Sequence, residues 1–315
     1  MLIVSRSGDG DTRTIQEAVD RAQEGDEILV RKGTYRERVI IKKKGIRLRG
    51  ESAQDCRIVW NCAARDLNAQ GIEKTTFLTY ALLVTGEDVT VESLTIENDA
   101  GDGRAVGQAV AVYAAGDRSR YLHCRFVACQ DTLYIGPTMR VMLEDARPYE
   151  IPEGIQKVGD LPEIHGRAYF EDCCIVGDVD FIFGPWTAWF ERCRLHMNAR
   201  GGWYTAADTP KEYPFGFIFH ECHLSGDCDD GLAFLGRPWR GYAQTYFLAC
   251  RMDACVNPIG FTDWDEIRVV TDRLGEGGTS GAREDLTPRH PRSRRLSSGE
   301  MAEITRDRVL EGWNL

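Results

Sequence analysis

The chain has 315 residues, of which 43% are hydrophobic, 28% charged and 10% aromatic, a globular composition able to bury a large core and unlike that of a disordered chain. No apolar run approaches the roughly 20 residues that a membrane-spanning helix needs, and Arg6 interrupts Met1-Leu2-Ile3-Val4-Ser5 before a secretory apolar segment can form, so the sequence as written reads as soluble and unexported. With 39 Lys and Arg against 49 Asp and Glu, the formal charge of −10 argues against nucleic acid or a membrane surface as partner.

The first predicted element is a helix. Thr14-x-x-Glu17 has the form of a capping box, and Ile15, Ala18, Val19 and Ala22 follow on one helical stripe, giving an amino-terminal cap over about residues 12–25. Beyond it the helical period fades and short strands take over. Tyr121-Leu-His-Cys124, Phe170-Glu-Asp-Cys173, Phe190-Glu-Arg-Cys193, Phe219-His-Glu-Cys222 and Phe247-Leu-Ala-Cys250 share the pattern aromatic-x-x-Cys, and an apolar residue stands two positions past each cysteine. Val91-Glu-Ser-Leu94 is the same unit one step earlier, with Leu94 in the cysteine slot. The cysteines are spaced by 49, 20, 29 and 28 residues. The last three intervals are single-coil lengths, and 49 is either one coil with a long loop or two coils.

Strands recurring at this spacing, with no helix between them, predict an all-β parallel β-helix forming a single unit over residues 1–315. Such a solenoid must cover its ends. Ser297-x-x-Glu300 opens a second helix through Met301, Ile304 and Val309, within a carboxy-terminal tail of about residues 275–315. The basic stretch Arg289 to Arg295 reads as a solvated face.

Eleven cysteines are an odd number, with no Asn-x-Ser/Thr sequon and no Cys-x-x-Cys pair, so free thiols in a reducing cytoplasm are expected rather than disulfides or zinc. The ladder cysteines are expected to face inward. A leader lost from the sequence would make the protein secreted instead.

The serine-hydrolase, zincin and phosphate-loop spacings are absent, and the six histidines are scattered. The aspartates are better placed. Asp131 and Asp180 each lie seven residues past a ladder cysteine, so on adjacent coils their carboxylates would stack within about 5 to 7 Å of each other on one outer face. Two carboxylates that close cannot both ionise easily, and one would be held as the acid. Asp229 shares the phase, so phase alone does not single out the pair.

Four blocks in order narrow the choice: Gly107-Gln108-Ala109-Val110, Gln130-Asp131-Thr132-Leu133-Tyr134, Asp178-Val179-Asp180-Phe181-Ile182-Phe183-Gly184 and Leu235-Gly236-Arg237-Pro238-Trp239. Ile15-Gln16-Glu17-Ala18-Val19, Gly33-Thr34-Tyr35 with Glu37, Leu94-Thr95-Ile96-Glu97-Asn98, Tyr204-Thr205-Ala206-Ala207 and Trp313 extend the pattern over nearly the whole chain. The sequence resembles the pectin methylesterases (pectinesterases), right-handed parallel β-helices that hydrolyse the methyl ester of galacturonate in pectin. The resemblance implies Asp180 as nucleophile, Asp131 as general acid and then base, Gln108 and Gln130 as oxyanion donors, and Arg237 as the partner that aims Asp180. It also implies sugar contacts at Trp239, Phe181, Tyr134 and Trp264, with Trp203 a further groove candidate, and neither cofactor nor metal. The partner would be pectin or a methylated oligogalacturonide, and the protein a monomer.

Departures from the family pattern are local. About 28 extra residues from Gly136 to Gly166 exceed a coil and predict a long loop beside the cleft. Phe261 stands where many members have Trp, and residues 284–295 match poorly. Two other readings compete. Asp178 and Asp180, two apart on one strand face, are compatible with a calcium-dependent polygalacturonate lyase, and a solenoid of this shape without chemistry would be a carbohydrate-binding protein.

Overall fold

The computed structural model describes residues 1–69, 71–137, 165–264 and 273–315. Three all-parallel sheets run through it: an eleven-stranded sheet from Leu2–Val4 to Ser293–Arg295, a nine-stranded sheet from Gly33–Tyr35 to Ser280–Gly281, and a seven-stranded sheet from Val39–Ile41 to Ala233–Gly236. The central coils visit the three in turn, as Arg167–Glu171, Cys174–Gly177 and Ile182–Gly184 do before Thr187–Glu191 begins the next. This is the predicted parallel β-helix.

The aromatic-x-x-Cys repeat marks the corner between the first two sheets. Ser93, His123, Asp172, Arg192, Glu221 and Ala249 all take φ between 49° and 53°, a left-handed turn that sends the following residue, Leu94 or a ladder cysteine, into the core. Cys124, Cys173, Cys193, Cys222 and Cys250 are buried free thiols. Each donates to a carbonyl one coil back, as Cys173 Sγ does to Tyr121 O at 3.3 Å and Cys222 Sγ to Phe190 O at 3.5 Å. Beside them Tyr121, Phe170, Phe190, Phe219 and Phe247 stack face to face at centroid distances of 4.7, 4.6, 4.4 and 4.7 Å.

Tyr121 pairs directly with Phe170, and Leu133 with Ile182, so the interval of 49 residues is one coil carrying an insertion between Ile135 and Arg167. The expected loop beside the cleft, over residues 138–164, lies outside the described residues.

Helix α1 (Ile15–Arg21) buries Ile15, Ala18 and Val19 against the first coils, as predicted. Its capping differs from the predicted box. Thr14 accepts from Glu17 N, but Glu37 supplies the carboxylate, accepting from Ile15 N and Gln16 N at 2.9 Å each and placing negative charge at the helix amino terminus. The short helix α2 (Gly103–Val106) follows the second sheet's Thr95–Asn98 strand.

The carboxy-terminal helix forms with its Ser297–Glu300 capping box intact, but it breaks in two, α3 (Ser298–Glu303) and α4 (Arg306–Val309), because Thr305 caps a fresh start. Neither helix covers the end of the solenoid. Met301, Ile304, Val309, Leu310 and Trp313 pack on Tyr169, Trp189, Ile218 and Tyr246 along the outer face of the first sheet, where those large side chains need cover. At the end of the coil stack Arg289 is buried against Glu276, correcting the reading of 289–295 as wholly solvated; Arg294 and Arg295 are exposed as expected.

Candidate active site

On two adjacent coils the strand of the third sheet begins two residues after a left-handed aspartate: Asp131 at φ 65° and Asp180 at φ 51°. Aspartate tolerates this conformation better than most side chains. The register Leu133↔Ile182 and Tyr134↔Phe183 places the two turns side by side, and Asp131 N donates to Val179 O at 3.1 Å. Both carboxylates are nearly buried, at 8% and 7% exposure. Asp229, which shares the phase in sequence, is exposed and lies outside the cavity that the pair shares.

That cavity, of about 380 Å³, collects Asp131, Asp180, Gln108, Gln130, Arg237, Trp239 and Trp264 from the sequence-predicted set. Arg237 grips Asp180 with both prongs, Nε to Oδ1 at 2.9 Å and Nη2 to Oδ2 at 2.7 Å. Its guanidinium is held in turn between the rings of Trp203 and Trp264, each centroid 3.9 Å from Cζ. Trp203 is anchored by its Nε1, which donates to Thr262 Oγ1 at 2.8 Å. The nearly fixed arginine therefore fixes the carboxylate.

Burial pushes the Asp131 carboxyl well above the usual carboxylate range and the charge of Asp180 adds to the rise, against smaller lowering effects from Arg237 and a hydrogen bond from Gln130. Burial raises Asp180 too, but the Arg237 hydrogen bonds work against it. Asp180 is thus the member of the pair that ionises first, and Asp131 the member that keeps its proton.

Two predicted sugar contacts are corrected. Phe181 faces the core at 0% exposure, because the left-handed turn at Asp180 sends the next residue inward; on the preceding coil Thr132 occupies the same slot and donates to Val176 O at 2.8 Å. Tyr134 faces the cleft side but lies beneath it, enclosed by Tyr113, Phe183 and Phe77 at 4.8, 4.9 and 5.2 Å, with its hydroxyl on Pro137 O. The aromatic side of the cavity is built by the half-buried Trp239 and Trp264 together with the buried rings of Phe77 and Phe183, the latter edge-on to Trp239 at 6.0 Å. Strand alternation from the inward Ile182 would have pointed to Phe183. Nothing in the repeat pattern pointed to Arg65, Glu73, Thr75, Thr76 and Phe77, which reach the cleft from an irregular segment.

Asp178 does not join Asp180. It is buried on the other side of the turn, accepting from Val179 N at 2.6 Å with Arg200 at 3.9 Å, so the shared carboxylate pair that a calcium-dependent lyase requires does not form. Elsewhere, Glu191, His220 and Glu221 bring ligand atoms within 4.8 Å of one another, but Trp189, Arg192 and His220 already occupy the Glu191 carboxylate.

A family model described as Pectinesterase matches residues 1–146 and 161–289. The chain is similar to Pectinesterase 31 of Arabidopsis thaliana, 31% identical over 274 residues covering 84% of this chain and 77% of that one. Among solved structures it is similar to a pectin methylesterase in complex with a hexasaccharide, at 26% identity and a TM-score of 0.80 over 99% of this chain and 97% of that one. It is also similar to the pectin methylesterase PemA from Erwinia chrysanthemi, at 26% identity and a TM-score of 0.79 with the same coverage.

Proposed function

The chain belongs to the pectinesterase family, and we propose that its Asp180 and Asp131 remove methyl esters from galacturonate units of pectin or oligogalacturonides. The observation that carries this reading is the pair itself: two carboxylates on adjacent coils in one cavity, equally buried, one bidentately bound to a stacked arginine and the other with its pKa raised by that burial and further by its neighbour's charge. Ionised Asp180 attacks the C6 carbonyl. The carboxamides of Gln108 and Gln130 stabilise the oxyanion as neutral donors that do not compete with Arg237 for the carboxylate. Collapse breaks the bond from C6 to the methoxy oxygen, and Asp131 delivers its proton so that methanol leaves. Asp131, now a carboxylate, takes a proton from water as it attacks the acyl intermediate, and hydrolysis returns Asp180 as carboxylate. Trp239, half-buried at the cavity, offers a flat apolar face to a sugar ring, and the buried rings of Phe183 and Phe77 line the cavity beside it.

The test is methanol release from methylated oligogalacturonides and from intact pectin, measured side by side on the folded protein. Methanol in step with titratable acid, undiminished by EDTA, is the expected result. No methanol from either substrate, or unsaturated products absorbing near the end of the ultraviolet, overturns it. We further infer action as a monomer in a reducing cytoplasm, on short oligomers. All eleven free thiols support this compartment, and native disulfides found by thiol counting would contradict it.

A further inference from the structure

Gln130 contributes its side chain to the cleft. Helix α2 lies directly over it. A Cβ built on Gly103 would come within 2.8 Å of both Gln130 Cβ and Gln130 Oε1, closer than side-chain carbons approach other atoms. Gln130 cannot retreat, because its carbonyl accepts from Ala109 N at 3.1 Å and the next residue, Asp131, donates to Val179 O at 3.1 Å. The bare Cα of Gly103 therefore closes the side toward Oε1. That leaves the amide nitrogen on the side of Asp131, to whose carboxyl the Gln130 side chain donates.

The helix is itself pinned at both ends. Asp102 caps it, accepting from Arg104 N at 2.9 Å and from Arg104 Nε at 2.9 Å on its second oxygen. Arg65 donates to Arg104 O at 3.0 Å and Ala105 O at 3.1 Å, satisfying carbonyls that a single helical turn leaves open. Nothing about the helix itself calls for glycine at position 103, since its φ is not left-handed and alanine is the better helix former. The contact calls for it.

We infer that Gly103 is a positioning residue: α2 acts as a clamp whose missing side chain lets it rest on Gln130 and hold the carboxamide with its N–H toward the oxyanion and Asp131. The inference rests on the esterase reading above. It gives a role to a residue outside the four motif blocks and to a helix that touches no reacting atom.

The test is Gly103→Ala, assayed for methanol release with kcat and KM separated. Displacing an oxyanion donor lowers kcat by up to about 10², so a kcat loss of roughly ten- to a hundredfold with KM unchanged is expected. In a Gln130→Gly background, which removes both the amide and the Cβ that the new methyl would meet, the same substitution should change kcat less than about twofold. The alkaline limb of kcat/KM should move to higher pH in Gly103→Ala, since Asp131 loses a hydrogen bond that favours its ionised form; a purely structural defect would not move it. Asp102→Ala, which loosens α2 without adding an atom, should shift the same limb in the same direction and serves if Gly103→Ala does not fold. Parental kcat in Gly103→Ala, or a loss that persists undiminished in the Gln130→Gly background, overturns the clamp. A parent protein that releases no methanol overturns the esterase reading instead.

Discussion

Glu276 pairs in register with Phe247 on the neighbouring coil, so the inward column of stacked rings that starts at Tyr121 ends on a carboxylate. Arg289 closes over it, Nε to Oε1 at 2.5 Å and Nη2 to Oε2 at 3.0 Å, with Nη1 on Pro258 O at 2.6 Å, and both side chains are almost wholly buried. Another ring at this position would need a further coil to stack on. An ion pair ends the column, because its remaining donors find loop carbonyls.

Removing one partner of such a pair leaves an uncompensated buried charge, so Arg289→Ala should cost about 3–5 kcal/mol in denaturant unfolding. Replacing both, as Glu276→Leu with Arg289→Met, should recover most of that loss, since well-packed apolar pairs often match a buried ion pair. A loss below about 1 kcal/mol for Arg289→Ala would mean that another group closes the end of the stack.

The Asp131 carboxyl titrates well above its unfolded value because it is buried beside Asp180. A group with a raised folded pKa contributes its stability fully below the unfolded pKa and loses it as pH rises toward the folded one. At neutral pH the unfolded chain ionises this carboxyl freely while the native protein resists, so Asp131 is a net cost to the fold. Asp131→Asn should therefore melt above the parent at pH 7, and the difference should shrink as pH falls toward about 4. Thermal unfolding across that range checks it; a difference that grows on acidification would give Asp131 the opposite pKa shift.

The repeat was legible because it is a backbone requirement: a left-handed corner every coil leaves the same slot for Leu94, Cys124, Cys173 and their successors. Asp131 and Asp180 were legible for a related reason, since both stand seven residues past a ladder cysteine, but Asp229 shares that phase, and it was the motif resemblance that singled out the pair and supplied Arg237. What escaped depended on contacts without a period. Phe181 and Phe183 are two apart in one motif, and only the turn geometry at Asp180 tells which faces the cleft. Glu37 serves a helix more than twenty residues away, and Arg289 reaches across its own coil to a carboxylate 13 residues back, so neither spacing repeats. The wall from Arg65 to Phe77 is irregular, and hydrophobic patterning is silent there.

The corrected aromatic roles can be separated by experiment. Phe181→Ala removes a fully buried ring and should cost about 3–5 kcal/mol of stability, with kcat/KM of the folded fraction close to the parent. Phe183→Ala opens the cavity wall beside Trp239 and should raise KM by roughly tenfold, the equivalent of one lost ring contact, with a stability cost of the same order because this ring too is buried. If Phe181→Ala instead raises KM while Phe183→Ala leaves it unchanged, the inward assignment of Phe181 is wrong.

The two aspartates are distinguished by what each group must supply. Asp180→Asn keeps the shape of the site but removes the attacking electron pair, and Arg237 loses its ionic partner; methanol release should fall to background. Asp131→Asn leaves the nucleophile and its arginine in place and removes only the proton that methoxide needs to depart, so turnover should fall by about 10² to 10⁴. An ester whose leaving group is stable without a proton bypasses that need. With such a substrate, single-turnover measurements should show the first step restored in Asp131→Asn, followed by slow release of the acid product because no base activates the water. The same substrate should recover nothing in Asp180→Asn. Equal rescue of both variants, or substantial methanol release by Asp180→Asn, would reverse or abolish the roles assigned to the pair.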